Sequence, residues 1–324
     1  MTCATPPEDS ALDPARDGAD PRPEDDSRQA EGAPSRLYRI NPDLEPGLYV
    51  VSTPIGNLRD ITLRALDILA SVDTVCAEDT RVAAKLLQAF GVSARLRPYH
   101  DHNGAQARPQ LLNELQTGAR IALISDAGTP LVSDPGFKLV REAAALGIKV
   151  VAIPGASAPL AALASSGLPT DRFTFAGFPP PKSAARKRFL GELKGTGGTL
   201  VFFEGLSRLA ASLADMAEVL GARDGVVARE LTKKFEEIRR GTLAELAAHY
   251  AEAGPPRGEI VVLVGPAEGA EAPEEGALDA AILAAGDERP LKEIAAEIAE
   301  RLGLKRREVY ERALELRDAD DGED

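Results

Sequence analysis

Thirteen residues, 124–136, gather more usable chemistry than any other stretch of the chain: Ile124-Ser125-Asp126-Ala127-Gly128-Thr129-Pro130-Leu131-Val132-Ser133-Asp134-Pro135-Gly136. Asp126 and Asp134 supply carboxylates and Thr129 and Ser133 supply hydroxyls. The two glycines and two prolines make a turn whose backbone N–H and C=O groups stay available to a ligand. Glu78, Asp79, His100 and Asp101 follow other apolar runs, and these are residue types that accept a proton. Asp79 with Arg81 reads equally well as a helix cap or an ion pair. The chain has no phosphate-binding P-loop, no strand-turn-helix G-x-G-x-x-G and no G-x-S-x-G elbow. A nucleoside triphosphate, a Rossmann dinucleotide and a serine hydrolase are therefore disfavoured. With two cysteines and three histidines, neither a disulfide framework nor a metal site is expected.

Short apolar runs alternating with helical patterns must position these groups, and such alternation implies a mainly parallel sheet. Strands are expected at 47–52, 74–77, 120–124 and 149–153, with a short one before Pro98. Helices follow the strands before the last, the first capped by Asp60 and others covering 105–116 and 137–146. In a parallel sheet the loops 52–58, 78–81, 124–136 and 154–158 open on one edge and form one cleft. Beyond residue 168 a second α/β domain, with a mixed sheet, is expected from apolar runs at 173–177, 199–203, 225–228 and 260–264. There Arg240-Gly241-Thr242 reads as a turn or helix start. Residues 266–276 read as a linker, and 277–317 as helices with a helix-turn-helix outline.

The formal charge of −13 is concentrated in the tails: 1–46 carries −6 and 318–324 carries −5, leaving −2 for the body. A body near neutrality can hold local basic patches, so nucleic acid is not excluded. Three such groups exist: Lys182, Arg186, Lys187, Arg188 and Lys194; Arg229, Lys233, Lys234, Arg239 and Arg240; and Lys305, Arg306 and Arg307. Residues 1–46, rich in Pro, Asp, Glu and Ala, are expected to be a disordered acidic tail. The expected order is then an N-terminal α/β domain (47–165), a C-terminal α/β domain (166–267), a helical domain (277–317) and an acidic tail (318–324). No apolar run reaches transmembrane length and no signal peptide is visible, so a cytoplasmic protein is expected.

Six segments stand in order: Ser-Thr-Pro-Ile-Gly-Asn-Leu at 52–58, Glu-Asp-Thr-Arg at 78–81, the 125–136 loop, Pro-Gly-Ala-Ser at 154–157, Phe-Phe-Glu-Gly at 202–205 and Arg-Glu-Leu-Thr-Lys-Lys-Phe-Glu at 229–236. As a set over roughly 47–317 they resemble the ribosomal RNA small subunit methyltransferase I family. Its members are 16S rRNA (cytidine-2′-O)-methyltransferases of the tetrapyrrole methylase superfamily. The resemblance implies two α/β domains of the tetrapyrrole methylase type with S-adenosylmethionine in the cleft between them, a small C-terminal helical domain, a homodimer and no metal. The chain departs from the family at Phe203-Glu204-Gly205-Leu206-Ser207-Arg208, where members show Tyr-Glu-x-Pro-His-Arg; no histidine role is carried onto that segment.

Methyl transfer from a sulfonium is an in-line displacement in which sulfur loses its positive charge. Neutral groups and carbonyls of Ala127, Gly128, Thr129 and Pro130 thus suit the donor methyl better than a carboxylate does. Asp126, Ser133, Asp134, Ser157 and Ala158 are expected on the cofactor, with Asp126, Asp134 and Ser157 at its amino-acid or ribose polar atoms. By resemblance, Glu204 and the backbone around Leu231 and Glu259 face its other side. Glu78, Asp79 and His100 are the candidates for base or relay at the ribose hydroxyl. Lys182, Arg186, Lys187, Arg188, Lys233, Lys305 and Arg306 are the candidates for small-subunit rRNA, naked or within the 30S subunit. The rival readings are methylation of a tetrapyrrole or other small molecule, and a non-enzymatic RNA-binding or assembly protein.

Overall fold

A computed structural model describes residues 37–267, 276–286, 289–302, 304 and 306–320. Its first half alternates strand and helix: β1 (Gly47–Val51), α1 (Leu63–Ser71), β2 (Thr74–Ala77), α2 (Thr80–Ala89), β3 (Leu96–Pro98), α3 (Gly104–Gln116), β4 (Arg120–Ile124), α4 (Phe137–Ala145), β5 (Val150–Ile153) and α5 (Ala158–Ser166). These strands pair in parallel in the order β3-β2-β4-β1-β5. Parallel pairing sends the chain out of every strand at the same edge, so all the strand-end loops share it. Side chains alternate between the two faces. Tyr49, Val51, Ala122 and Ile124 bury against α1 and α2, while Leu48, Ile121 and Leu123 bury against α3 and α4. Burial on both faces is why these strands read as unbroken apolar runs.

The second half contains β6 (Phe173–Gly177), α6 (Ser183–Leu193), β7 (Thr199–Glu204), α7 (Leu209–Leu220), β8 (Asp224–Arg229), β9 (Glu237–Thr242), α8 (Leu243–Ala253) and β10 (Ile260–Val264). The sheet is mixed, in the order β6-β7-β10-β8-β9, with β6 and β7 parallel and the other pairs antiparallel. Helices α6, α7 and α8 cover one face through Leu190, Leu213 and Leu246. The other face, with Val201, Val226, Ala228, Val261 and Leu263, is covered by Ala162 and Leu163 of α5 and by Ile55. Helix α5, at the end of the first domain, therefore packs on the second sheet. Helices α9 (Ala277–Ala285), α10 (Leu291–Leu302) and α11 (Arg306–Asp320) share their own cluster around Ile282, Ile294, Ile298 and Val309.

Four expectations are corrected. Order begins before Gly47: Tyr38 is buried in the α1/α2 cluster, with its hydroxyl on Gly91 O at 2.9 Å. The Asn41 N–H donates to Ser71 Oγ at 2.9 Å. Tyr38 and Leu44 give this end of the polar tail apolar surface to bury; the rest of the expected tail, 1–36, lies outside the described residues. Helix α11 runs on to Asp320, past the expected boundary at 318, because neither Gly nor Pro interrupts it there. Asp60 does not cap α1: residues Leu58–Asp60 form a separate 3-10 turn, and Thr62 Oγ1 accepts from Ala65 N at 3.1 Å. Residues 237–242 form an edge strand, with Glu237 directly opposite Arg229 and paired to it at 2.9 Å. Charge on a sheet edge is the usual guard against pairing with other chains, and here it masks the strand pattern. Thr242 does start a helix, through a capping box with Glu245.

Replacing Thr62 by Ala is expected to cost about 1 kcal/mol of stability, the usual worth of an N-cap hydroxyl. Urea unfolding of Thr62→Ala beside Asp60→Ala checks the assignment, the larger loss falling on Thr62.

Candidate active site

Loop-to-loop hydrogen bonds complete the strand ends of the first sheet. Thr53 and Gly128 exchange backbone bonds, N to O, at 2.9 and 3.0 Å. Ser52 Oγ lies 3.1 Å from Thr129 Oγ1, and Thr129 Oγ1 donates to Ala156 O at 3.2 Å. The loops after β1, β4 and β5 are thereby stitched into one surface. Gly128 has φ +81°, and a Cβ there would meet Ile55 Cγ2 at 3.3 Å. Leu131 (φ 76°) and Ser133 (φ 62°) hold left-handed backbone without being glycine. Such conformations persist only where surrounding contacts enforce them.

This surface faces the ends of β7, β8 and β10 across a cleft of about 710 Å³. The first-half wall includes Ile55, Ala127, Gly128, Thr129, Val132, Ser133, Asp134, Ser157 and Ala158. The opposite wall includes Phe178, Phe203, Glu204, Leu206, Ala228, Leu231, Glu259 and Val261. Glu204 is fully buried at its side chain. Its Oε1 accepts from Gly205 N at 2.7 Å and Arg208 Nε at 3.0 Å, while Oε2 is buried without a hydrogen-bond partner. A buried acceptor of this kind on a cleft wall suits a ligand hydroxyl or N–H.

Ten of the twelve residues expected on a cofactor line this cleft: Ala127, Gly128, Thr129, Ser133, Asp134, Ser157, Ala158, Glu204, Leu231 and Glu259. Asp126 and Pro130 are not among the lining residues. Asp126 is exposed, and its Oδ1 accepts from Asp79 N at 3.1 Å, tying the β2 and β4 loops together. Glu78, Asp79 and His100 also stand outside the lining. Asp79 caps α2, and its hydrogen bonds with Arg81 hold the carboxyl at about 2, too weak a base for a ribose hydroxyl. His100 Nδ1 accepts from Asn103 N at 3.3 Å, committing that nitrogen to a turn. Burial, with Asp126 and Asp101 nearby, raises the Glu78 carboxyl above the usual range. Apolar lining residues such as Phe178, Phe203 and Val261 escape a search for polar chemistry; Phe178 is betrayed only by its place just after an apolar strand.

The basic candidates separate sharply. Arg186 is 3 % exposed, with Nε on Asp215 Oδ2 at 2.7 Å and Nη1 on the carbonyls of Pro180 and Pro181. It staples the proline turn to α7 and cannot reach RNA. Lys187 is paired with Glu218 at 2.6 Å. Lys182, Arg188 and Arg306 are exposed, and Lys305 lies outside the described residues. Lys233 is a clamp: its Nζ donates to Glu230 at 2.9 Å and to Glu259 at 3.0 Å. Glu230 Oε1 also accepts from Glu259 N at 3.0 Å, fixing the cleft-lining backbone there. The Lys233 stem lies over Gly56, where a Cβ would be 2.5 Å from Cγ, and Asn57 N donates to Thr232 Oγ1 at 3.1 Å. The β1 loop is thus seated on the second domain.

The family model for tetrapyrrole (corrin/porphyrin) methylases matches residues 47–247, and that for the RsmI C-terminal HTH domain matches 271–317. A protein of Mesorhizobium japonicum named ribosomal RNA small subunit methyltransferase I is 55% identical over 85% of this chain and 94% of its own. Its namesake in Escherichia coli O157:H7 is 49% identical over 83% and 94%. The chain belongs to the ribosomal RNA small subunit methyltransferase I family. Its fold is shared with a cobalt precorrin-4 methyltransferase (TM-score 0.51, 17% identity, 71% of this chain and 95% of that one). It is shared too with a diphthine synthase (TM-score 0.52, 16% identity, 67% and 89%). Among the described residues no helix is long and apolar enough to cross a membrane, and no cluster of metal-binding side chains occurs.

The methyl donor of this family is S-adenosylmethionine, and the cleft suits it. Ala228, Leu231 and Val261 offer apolar surface to an adenine, Glu204 Oε2 offers an acceptor to hydroxyls, and the Gly128 turn offers close backbone approach. Removing the charge of Lys233 while keeping its stem, as in Lys233→Met, is expected to lower stability by about 1–3 kcal/mol, the worth of hydrogen bonds to charged groups. Affinity for S-adenosylhomocysteine should weaken with it, read by urea unfolding and calorimetry. The salt dependence of rRNA binding should stay unchanged, as it would not for a phosphate contact.

Proposed function

We propose that this chain is an S-adenosylmethionine-dependent methyltransferase of small-subunit rRNA that modifies the ribose 2′-hydroxyl of a cytidine in the decoding region. The observation that carries the reading is the placement of family motifs. The segments at 52–58, 125–136, 154–157, 202–205 and 229–236 meet at one cleft, beside a buried carboxylate oxygen that lacks a partner. Identity of 55% to a protein named for this activity supports the substrate class. The reading includes an assembled or assembling 30S subunit as the target, a homodimer and a cytoplasmic location.

The bound donor supplies an electrophilic methyl group on a positive sulfur. What the chain supplies is alignment and an apolar wall. Ile55, Leu231 and Val261 give the cleft apolar lining, and apolar surroundings strengthen the polar contacts a bound donor makes there. Carbonyls and hydroxyls of the 127–129 turn suit a sulfonium that must lose its charge, whereas a carboxylate against sulfur would favour the reactant over the transition state. Exposed Lys182, Arg188 and Arg306 are suited to phosphates, whose contacts fix position and not sequence.

Transfer of labelled methyl from the donor to small subunits, naked rRNA and a porphyrinogen tests the reading. Label is expected in small-subunit rRNA, on the ribose of a cytidine. Label on a base, or only in the porphyrinogen, contradicts it. A chain ending at residue 276 is expected to keep donor binding and lose most of its activity on subunits, as single-turnover assays would show.

A further inference from the structure

We propose that the end of the cleft bounded by Asp134 and Phe178 is the acceptor subsite, where Phe178 stacks on the base of an extruded nucleotide and Asp134 takes the proton of its ribose hydroxyl. The inference deepens the rRNA reading and rests on it.

Strand order separates this end from the rest of the cleft. Glu204 ends β7, Glu259 precedes β10 and Leu231 follows β8, the three central strands of the second sheet. Phe178 follows β6, the strand at the sheet edge. The two walls meet there, for a Cβ on Gly177 would stand 3.5 Å from Ser133 Oγ. Asp134 and Phe178 are the next residues on the two sides, and both line the cleft.

Phe178 is 56% exposed although it lines the cleft. Its ring is backed by Phe203 at 5.3 Å, itself held edge-on by Phe175 at 5.0 Å. A ring supported on one side and open on the other is a platform for a nucleobase, and an enzyme acting on a nucleotide inside folded RNA must draw it out of its stack. The platform is sequence-tolerant, so neighbouring contacts must provide any preference for cytidine.

Asp134 is held in place by the left-handed backbone of Leu131 and Ser133. Partial burial raises its carboxyl to about 6; Ser125 hydrogen-bonds to it and lowers it, while Glu78 and Asp126 push it up. Its basicity is thereby matched to neutral pH, where it is ionised and ready to accept a proton. In the step, the ribose O–H bond breaks and its proton passes to the Asp134 carboxylate. The oxygen–carbon bond forms as the carbon–sulfur bond breaks, with that electron pair staying on sulfur. The products are the 2′-methyl ether, a neutral thioether and a protonated Asp134, which returns its proton to water. This moves Asp134 from the donor, where sequence reasoning places it, to the acceptor.

The test compares Asp134→Asn, Phe178→Ala and Phe178→Tyr with the unmodified chain for methylation of small subunits, affinity for S-adenosylhomocysteine and thermal midpoint. The unmodified chain must first label small-subunit rRNA; if it does not, the rRNA reading fails, whatever the variants do. Asp134→Asn is expected to lower kcat about 100-fold or more, with cofactor affinity and thermal midpoint retained. The acid limb of kcat/KM, falling below pH about 6 as Asp134 becomes protonated, should be lost in the residual activity. Phe178→Ala is expected to raise KM for subunits about 5- to 100-fold, with Phe178→Tyr restoring it. Asp134→Asn keeping a tenth or more of the activity, or losing cofactor affinity in step with it, overturns the role of Asp134. Phe178→Ala weakening cofactor binding in place of subunit binding overturns the stacking role.

Discussion

Parallel pairing of β1 between β4 and β5 is the constraint from which the rest of this molecule follows. It delivers the loops after these strands to one edge, where their backbone groups have left the ladder and need new partners. The reciprocal bonds between Thr53 and Gly128, with Ser52, Thr129 and Ala156 beside them, meet that need. Buried backbone polar groups are costly when unpaired, so the loops hold one another in a fixed arrangement. A ligand then meets a surface whose ordering entropy was lost on folding, not on binding.

A single edge of loops is only half of a cleft. The other half is attached by apolar packing and by a small set of charges. Ile55 and α5 bury against the inner face of the second sheet, in contact with Val201, Val226 and Leu263. Lys233 then ties Glu230 and Glu259 together while its stem covers Gly56. Both devices join the first domain to the second beside the cleft. Glu204, Asp134 and Phe178 are left on its walls.

Much of the first sheet is legible in the sequence because a parallel strand buried on both faces must be an apolar run bounded by turns. The cleft loops are legible for the same reason, since Gly128, Pro130 and Gly136 mark where the chain leaves a strand. What stays hidden is pairing at a distance. Arg186 looks like part of a basic patch until Asp215, 29 residues away, is seen beside it. Lys233 looks alike until its two glutamates appear. Strand β9 hides behind its charges, and Tyr38 behind the composition of the polar segment around it. Phe178 lies in plain view yet carries no polar signal; only the cleft gives its exposed ring a meaning.

The Gly128 turn is proposed as the cradle of the methyl donor. Its left-handed backbone (φ +81°) and the 3.3 Å approach of Ile55 leave no place for a branched side chain. Calorimetric titration with S-adenosylhomocysteine of the unmodified chain and of Gly128→Val, with circular dichroism to confirm that both are folded, tests it most directly. Saturable binding by the unmodified chain and none by folded Gly128→Val is expected. Equal affinity in the two would contradict it.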